Sequence, residues 1–201
     1  MQRKFFDMLL SVVGLVLTVA LVVGGALLLW GANFANSNVH NQLAQQDIYF
    51  PTTAAFAAAK PGTEVTPGMK PYLLQYAGQE VLSGAQAEAY ANRFIAVHLS
   101  EMPYGGVYSK VSAASRANPT NTALSQEVQT VFQGTTLRGL LLEAYGFSQF
   151  ALIAEWGATA CFIGAAIMLI LVLIGFAHAR RTPETEQLVV RTEEAKELIG
   201  V

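Results

Sequence analysis

The chain has 201 residues, of which 53% are hydrophobic and only 13% carry a charged side chain. A soluble domain usually has about 25% charged residues, so this composition argues against an ordinary water-soluble protein. The formal net charge is −2 and no basic run is interleaved with aromatic residues, so nucleic acid is excluded as an expected partner.

The first element is an apolar run from Met8 to Gly31, which follows Arg3 and Lys4. About 20 apolar residues in a helix cross the hydrocarbon core of a bilayer, so the run predicts a transmembrane helix at residues 8–31. A cleaved signal peptide is the alternative interpretation. Its apolar region would be only about 7–15 residues long and would end in an A-x-A-like site, so the length of this run favours a retained span.

A second apolar run extends from Gly157 to Ala177 and predicts a transmembrane helix at residues 151–178. Trp30 and Trp156 mark corresponding ends of the two spans. Indole rings favour the headgroup level of a membrane, so both are candidate interfacial residues. Glu155 is an acid next to a span and therefore a candidate functional group. Its position beside Trp156 favours the alternative, an interfacial carboxylate.

Basic residues precede the first span and follow the second, and no lysine or arginine lies between Lys4 and Lys60. The positive-inside rule then predicts that both termini, residues 1–7 and 179–201, are cytoplasmic. Residues 32–150 would form an extracytoplasmic domain of a plasma membrane protein with two spans.

The segment between the spans has a helical pattern. The clearest predicted helix covers residues 83–102, because Ser83 and Gln86 form a capping-box pattern and Pro103 would end the helix. The predicted fold class is therefore an all-α membrane protein, with two transmembrane helices extended outward and a small helical extracytoplasmic domain between them.

The flanking segments complete this prediction. The first span continues as a helix over residues 32–46, and residues 107–121 are expected to form a loop. Residues 122–133 are amphipathic and predict a helix that ends at Gly134, since glycine is common just after a helix. A separate helix from about residue 136 to residue 179 would then include the second span.

Small residues spaced four apart line part of each span. Such faces let helix backbones approach closely, although glycine and alanine are also simply frequent in spans. A contact face of this kind could join the two spans, two copies of the chain, or a larger complex. The candidate helix-packing residues are Gly14, Thr18, Ala20 and Gly24 in the first span and Gly157, Ala160, Cys161 and Gly164 in the second.

Few residues indicate chemistry. His98 and Glu101 are three apart on the predicted helix and form a candidate polar pair, which is a weak pattern for a metal site. Cys161 is the only cysteine, so no intrachain disulfide forms. The sequence has no phosphate-binding glycine loop, nucleophile elbow or calcium-binding loop, and it predicts no catalytic, metal-binding or cofactor-binding residue.

The run AEAYANRFIAVHLSEMPYGGVYSKV, residues 87–111, resembles a group of actinobacterial two-span membrane proteins. The chain also resembles this group in the order of its segments, over most of residues 8–178. That order is a span, NQLAQQDIYFP (41–51), AKPGTEVTP (59–67), FQGTTLRGLLLEAY (132–145) and a second span. The resemblance implies an actinobacterial plasma membrane protein of unassigned role, with no activity, cofactor or catalytic residue to carry over.

Members of that group are often labelled "aromatic ring-opening dioxygenase", and the residues argue against this label. Extradiol ring-opening enzymes hold non-haem iron with two histidines and one carboxylate. The chain has three histidines, and His178, at the cytoplasmic end of the second span, is separated by the bilayer from His40 and His98.

We therefore predict a non-enzymatic accessory or scaffolding subunit of a larger membrane or envelope complex. The alternative is an extracytoplasmic module that binds lipid or another apolar ligand. Expected partners are membrane lipid and either other membrane proteins or further copies of this chain.

Overall fold

A computed structural model describes residues 3–183, and this part of the chain is helical, with no β-strand. Extended pairing within it is limited to an antiparallel bridge between Tyr49 and Glu80. The predicted all-α fold is confirmed for these residues. The predicted cytoplasmic tail falls largely outside the described residues, as do residues 1–2.

In chain order, a long helix is followed by a series of short helices and then by a second long helix. The α-helices are α1 (Arg3–Ala44), α2 (Thr53–Ala57), α3 (Lys70–Leu73), α4 (Gly84–Tyr90), α5 (Ala96–Glu101), α6 (Tyr108–Ala117) and α7 (Thr122–Arg181). Short 3-10 turns occur at Pro67–Met69, Leu74–Tyr76 and Pro103–Gly106, and a π-helical turn at Ala91–Ile95 joins α4 to α5.

The chain divides into two compact units. Unit 1 contains the residues up to Trp30 and those from Glu155 onward, and unit 2 contains Gly31–Ala154. Helices α1 and α7 each contribute residues to both units.

Unit 1 is built from the apolar parts of α1 and α7. Both helices are long and apolar enough to cross a membrane, judged by length and composition. In the most apolar 18-residue window of each helix, only 17% and 11% of the residues are buried. A core helix of a soluble protein would be mostly buried, so these windows present apolar side chains to their surroundings.

The extension of the first apolar helix is confirmed, because α1 runs on to Ala44. The predicted break at Gly134 is wrong, since α7 is unbroken from Thr122 to Arg181. A Cβ atom at Gly134 would lie 2.9 Å from Cδ2 of Leu99. The glycine is therefore explained by the close approach of α5 to α7 and not by a helix end.

The loop prediction for residues 107–121 is also wrong, because α6 occupies Tyr108–Ala117. Val111 on this helix is fully buried, and tertiary burial of this kind overrides weak helix propensity. Nη1 of Arg116 also donates a 2.6 Å hydrogen bond to Oγ of Ser112, one turn earlier.

The helix predicted at residues 83–102 is present with an insertion. Ser83 and Gln86 form the predicted capping box, and α5 ends at Glu101, before Pro103. The π-helical turn at Ala91–Ile95 interrupts this helix and was not predicted.

The core of unit 2 packs large side chains against small residues of α4 and the π-helical turn. Phe50 lies 5.1 Å from the ring of Tyr76 and 5.4 Å from that of Tyr90, measured between ring centroids. The buried residues of this core include Val39, Leu43, Phe50, Phe56, Met69, Leu73, Val81, Ala87, Ala91 and Leu141.

Candidate functional site

Unit 2 contains a groove of about 390 Å³ between the last turns of α1 and the middle of α7. This volume falls in the range of about 300–1,000 Å³ that is usual for small-molecule sites. The floor is apolar and consists of Val39, Leu43, Leu137, Leu140, Leu141, Ala144 and Phe147. The rim is polar and consists of Asn38, Gln42, Gln46 and Glu143.

The α1 side of the groove follows from helical spacing. Val39 and Leu43 are four residues apart, so they stack on one face of the helix. Asn38 and Gln42 repeat the same spacing one position earlier, which sets their amides beside the apolar stripe, and Gln46 lies in the turn after the helix. The two stripes make this wall of the groove amphipathic.

The α7 side carries the accessible apolar surface. Leu141 is buried in the core of unit 2, whereas Leu140 and Phe147 are 58% and 52% exposed. These two exposed residues are seven apart and therefore lie on nearly the same face of α7. An apolar ligand in the groove would cover them.

The amide stripe is partly organised by its own hydrogen bonding. Nε2 of Gln42 donates a 2.9 Å hydrogen bond to Oδ1 of Asn38. This bond uses the Gln42 nitrogen and the Asn38 oxygen. The Asn38 nitrogen and the Gln42 oxygen keep their capacity to donate and accept hydrogen bonds. Glu143 is exposed and is the one charged residue among the eleven that line the groove.

The candidate pair of His98 and Glu101 has a different arrangement from the predicted one. Nδ1 of His98 lies 2.9 Å from the carbonyl oxygen of Phe94, and its Nε2 lies 2.8 Å from that of Glu64. Glu101 is exposed. A neutral imidazole carries one N–H, so the tautomer decides which carbonyl receives the hydrogen. His98 thus links α5 to the segment at residue 64.

A polar network in unit 2 was not found from the sequence. Nη2 of Arg138 donates a 2.8 Å hydrogen bond to Oδ1 of Asn92, and Nδ2 of Asn92 donates a 2.8 Å bond to Oε1 of Glu88. Nε of Arg138 is buried without a hydrogen-bond partner among the described residues. The spacing of Glu88 and Asn92 by four residues was the one available signal, and it did not indicate Arg138.

Two tyrosines of unit 2 have raised pKa values. Burial raises the pKa of Tyr90 above its ordinary value, and the nearby Glu64 carboxylate adds to the effect. For the exposed Tyr49, the Glu80 carboxylate is the main cause of a raised pKa, followed by desolvation and Asp47. Each phenol is therefore held in its neutral form to higher pH than a tyrosine in water.

In unit 1 the two helices pack antiparallel through small residues. A Cβ atom at Gly14 would lie 2.8 Å from Cγ2 of Val172, and one at Gly157 would lie 3.2 Å from Cδ1 of Leu28. The glycines therefore allow contact between the helices that larger residues would prevent.

Further predicted packing residues also lie at this contact. A Cβ atom at Gly164 would lie 3.6 Å from Cδ1 of Leu21, and Cβ of Cys161 would lie 3.2 Å from one at Gly25. Thr18 is buried, and its hydroxyl donates a 2.8 Å hydrogen bond to the carbonyl oxygen of Gly14.

Three other predicted packing residues lie outside this contact. Ala20 and Ala160 are exposed. A Cβ atom at Gly24 would have no atom within 4 Å. Within unit 1, the structure therefore brings together only part of the predicted set.

Most of the buried residues of unit 1 recur every seven positions, a repeat that spacings of four do not reveal. We call this set the seam. It consists of Ser11, Thr18 and Gly25 of α1 and of Ala158, Ala165, Val172 and Ala179 of α7. A seven-residue repeat is the pattern by which packed helices keep one face toward each other.

The predicted interfacial residues lie at one end of the seam. Trp30 and Trp156 are largely exposed, and Glu155 is half-buried. At the other end, Nε2 of His178 lies 3.7 Å from Oδ2 of Asp7. The two tryptophans thus lie at the same end of the seam, within α1 and α7.

Residues 3–183 include no group of three or more histidine, cysteine, aspartate or glutamate side chains placed to hold a metal ion. Comparison of the chain with family models, curated proteins and solved structures finds no match. The function is therefore proposed from the geometry of the groove, the seam and the exposed surfaces.

Proposed function

We propose that the chain crosses the plasma membrane twice, at residues 8–31 and 151–178, with residues 32–150 on the outer side. The exposed apolar surface of unit 1 supports this placement, because side chains such as Leu17 and Ile170 are more than half exposed and lipid would cover them. Each helix also satisfies its own backbone hydrogen bonds, as a span must.

A thiol-accessibility experiment tests this topology. In a Cys161→Ser background, Ser83→Cys should react with a membrane-impermeant maleimide on intact cells. Thr185→Cys should react only after the cells are permeabilised. Labelling of the Thr185→Cys variant on intact cells would place the C-terminal tail outside and contradict the proposal.

We further propose a non-enzymatic accessory role, in which unit 2 contacts another membrane or envelope protein. The observation that carries this proposal is an exposed group that we call the aromatic patch: Tyr104, Val107, Tyr108 and Phe132, each 41–51% exposed. The rings of Tyr108 and Phe132 are 5.8 Å apart, which joins α6 to α7 in one surface. Exposed apolar surface of this kind marks interaction sites, where aromatic residues contribute most of the binding energy.

The backbone beside the aromatic patch supports the same role. Tyr104 has φ 58°, in the left-handed region that non-glycine residues rarely adopt, and Gly105 and Gly106 follow with φ 65° and 63°. Backbone strain of this kind is concentrated at functional surfaces. The strained turn therefore lies four residues before Tyr108 and carries the exposed ring of Tyr104.

Purification of the tagged chain from native membranes tests the accessory role. The wild-type protein should bring down a defined partner, and the double variant Tyr108→Ser/Phe132→Ser should lose it. Leu74→Ser is the matched control, since Leu74 is also exposed in unit 2 but lies outside the patch. Recovery of the wild type as a lone monomer in mild detergent would contradict an accessory role.

The groove favours a second function, the binding of a lipid or another apolar ligand on the outer side of the membrane. Its apolar floor and polar rim have the composition of small-molecule sites. Lipid that remains bound through purification should be found by mass spectrometry and should be lost from Leu140→Asp. An equal amount of lipid in both proteins would show that it is bound elsewhere.

A further inference from the structure

We infer that the groove holds one acyl chain of a lipid whose headgroup is uncharged and carries hydroxyl groups. The inference rests on the proposed ligand-binding function of the groove and specifies its ligand.

The apolar floor fits an acyl chain. Leu140 and Phe147 line the groove and are each more than half exposed, and Phe150 and Ile153, further along α7, are exposed as well. Helix α7 is unbroken through these residues, and Glu155 is its only charged residue between Glu143 and Arg180. An acyl chain in the groove can therefore lie on exposed apolar side chains of α7.

The rim selects the headgroup. None of the eleven lining residues is basic, whereas phosphate and carboxylate headgroups are bound by arginine and lysine. The Glu143 carboxylate repels an anionic headgroup. Amides such as Asn38 and Gln42 both donate and accept hydrogen bonds, which is the capacity that a hydroxyl group needs. The charge of the rim thus favours a neutral, hydroxyl-bearing lipid over an anionic one.

The size of the groove suits a single acyl chain as its complete occupant, whereas a protein that entered it would need contacts outside it. A specific protein interface involves about 20–30 residues on each side, but only eleven residues line this groove. A single chain of a lipid is small enough to be held by that number of residues. A second copy of this chain or a partner helix would need contacts far beyond the groove.

Photolabelling of the full-length protein in phosphatidylcholine nanodiscs tests the inference. Three probes share one photoreactive acyl chain and differ in headgroup: a monoacylglycerol, a lysophosphatidylcholine and a lysophosphatidic acid. Labelled residues are located by mass spectrometry of peptides. The monoacylglycerol should label residues 38–46 and 137–147, and the lysophosphatidic acid should label them roughly tenfold less, the ratio expected for one unfavourable charge contact.

Three variants separate the chain from the headgroup. Leu140→Asp should lower labelling by the monoacylglycerol about tenfold, because it places a carboxylate on the apolar floor. Leu74→Asp is the matched control, since Leu74 is also exposed in unit 2 and lies outside the groove, and labelling should not change. Glu143→Gln removes the charge of an exposed side chain at nearly constant size and should raise labelling by lysophosphatidic acid several-fold.

The outcomes distinguish this inference from the function on which it rests. Equal labelling by all three probes would overturn the headgroup assignment and leave apolar binding in the groove intact. Absence of groove labelling by every probe would overturn both. Labelling that is blocked in nanodiscs with two copies, but not in those with one, would identify a second copy as the occupant and overturn the inference.

Discussion

Nη2 of Arg138 on α7 lies 2.8 Å from Oδ1 of Asn92 in the π-helical turn, and this hydrogen bond joins residues 46 positions apart in the chain. Asn92 is held in turn by its bond to Glu88, one helical turn earlier. The Asn92 amide therefore connects the Glu88 carboxylate to the Arg138 guanidinium. Nε of Arg138 has no hydrogen-bond partner among the described residues. The π-helical turn is the local structure that contains this amide.

Asn92→Ala should destabilise the protein by about 1–3 kcal/mol, because it leaves a half-buried guanidinium without its acceptor. Denaturant unfolding of the full-length protein in detergent measures the change. In an Arg138→Met background the same substitution should cost less, since no donor then remains unpaired. Equal costs in the two backgrounds would show that the hydrogen bond contributes no stability.

Gly14→Ala should destabilise the helix pair of unit 1 by about 1–3 kcal/mol, the usual cost of an overpacked contact. The added Cβ would lie 2.8 Å from Cγ2 of Val172, so Val172→Ala should restore most of the loss. Gly24→Ala is the matched control on the same helix, because a Cβ there meets no atom within 4 Å. Thermal unfolding that shows the same loss for both glycines would contradict the packing described for the seam.

His98→Phe should cost about 1 kcal/mol, the typical net contribution of a hydrogen bond. The variant keeps a ring at the 4.5 Å contact with Phe94 but removes the link to the carbonyl of Glu64. Hydrogen exchange should therefore become faster around residues 63–66. Glu101→Gln should leave this exchange unchanged, and a comparable effect of that variant would restore the pairing predicted from the sequence.

Alkaline pH should destabilise unit 2 partly through Tyr90. Its pKa is raised in the folded protein, first by burial and then by Glu64, so the unfolded chain loses the phenolic proton at lower pH than the folded one. The contribution of Tyr90 to stability is fully present below about pH 10, the ordinary pKa of tyrosine, and is lost as pH rises through the folded pKa.

Comparison with Tyr90→Phe isolates this effect. Phenylalanine has no proton to lose, so the stability of wild type relative to the variant should fall as pH rises above about 10. Unfolding midpoints measured from pH 7 upward give the difference directly. A constant difference across that range would mean that the phenol titrates alike in the folded and unfolded chains.

Local rules identified much of the fold from the sequence. The two apolar runs predicted long helices, and the capping box at Ser83 and the stop at Pro103 are both present. These features depend on residues close together in the chain. The role of Gly134 could not be predicted in the same way. A glycine is needed there because of the close contact with Leu99, and that contact exists only after α5 packs on α7.

Features that depend on tertiary contact account for the other differences. The helical state of α6 is stabilised by burial of Val111, and nothing in its own polar sequence shows that burial. The π-helical turn likewise follows from no local pattern in its own sequence. The seam was accessible from the sequence, since Ser11, Thr18 and Gly25 are seven apart, but a search restricted to spacings of four does not find it.

Unit 2 is held together without a disulfide, since residues 31–154 contain no cysteine. Its maturation therefore requires no oxidant and no disulfide isomerase. Thiols should leave its shape unchanged, as it has no covalent cross-link that they could reduce or rearrange. A reducing environment therefore removes no bond on which the structure of unit 2 depends.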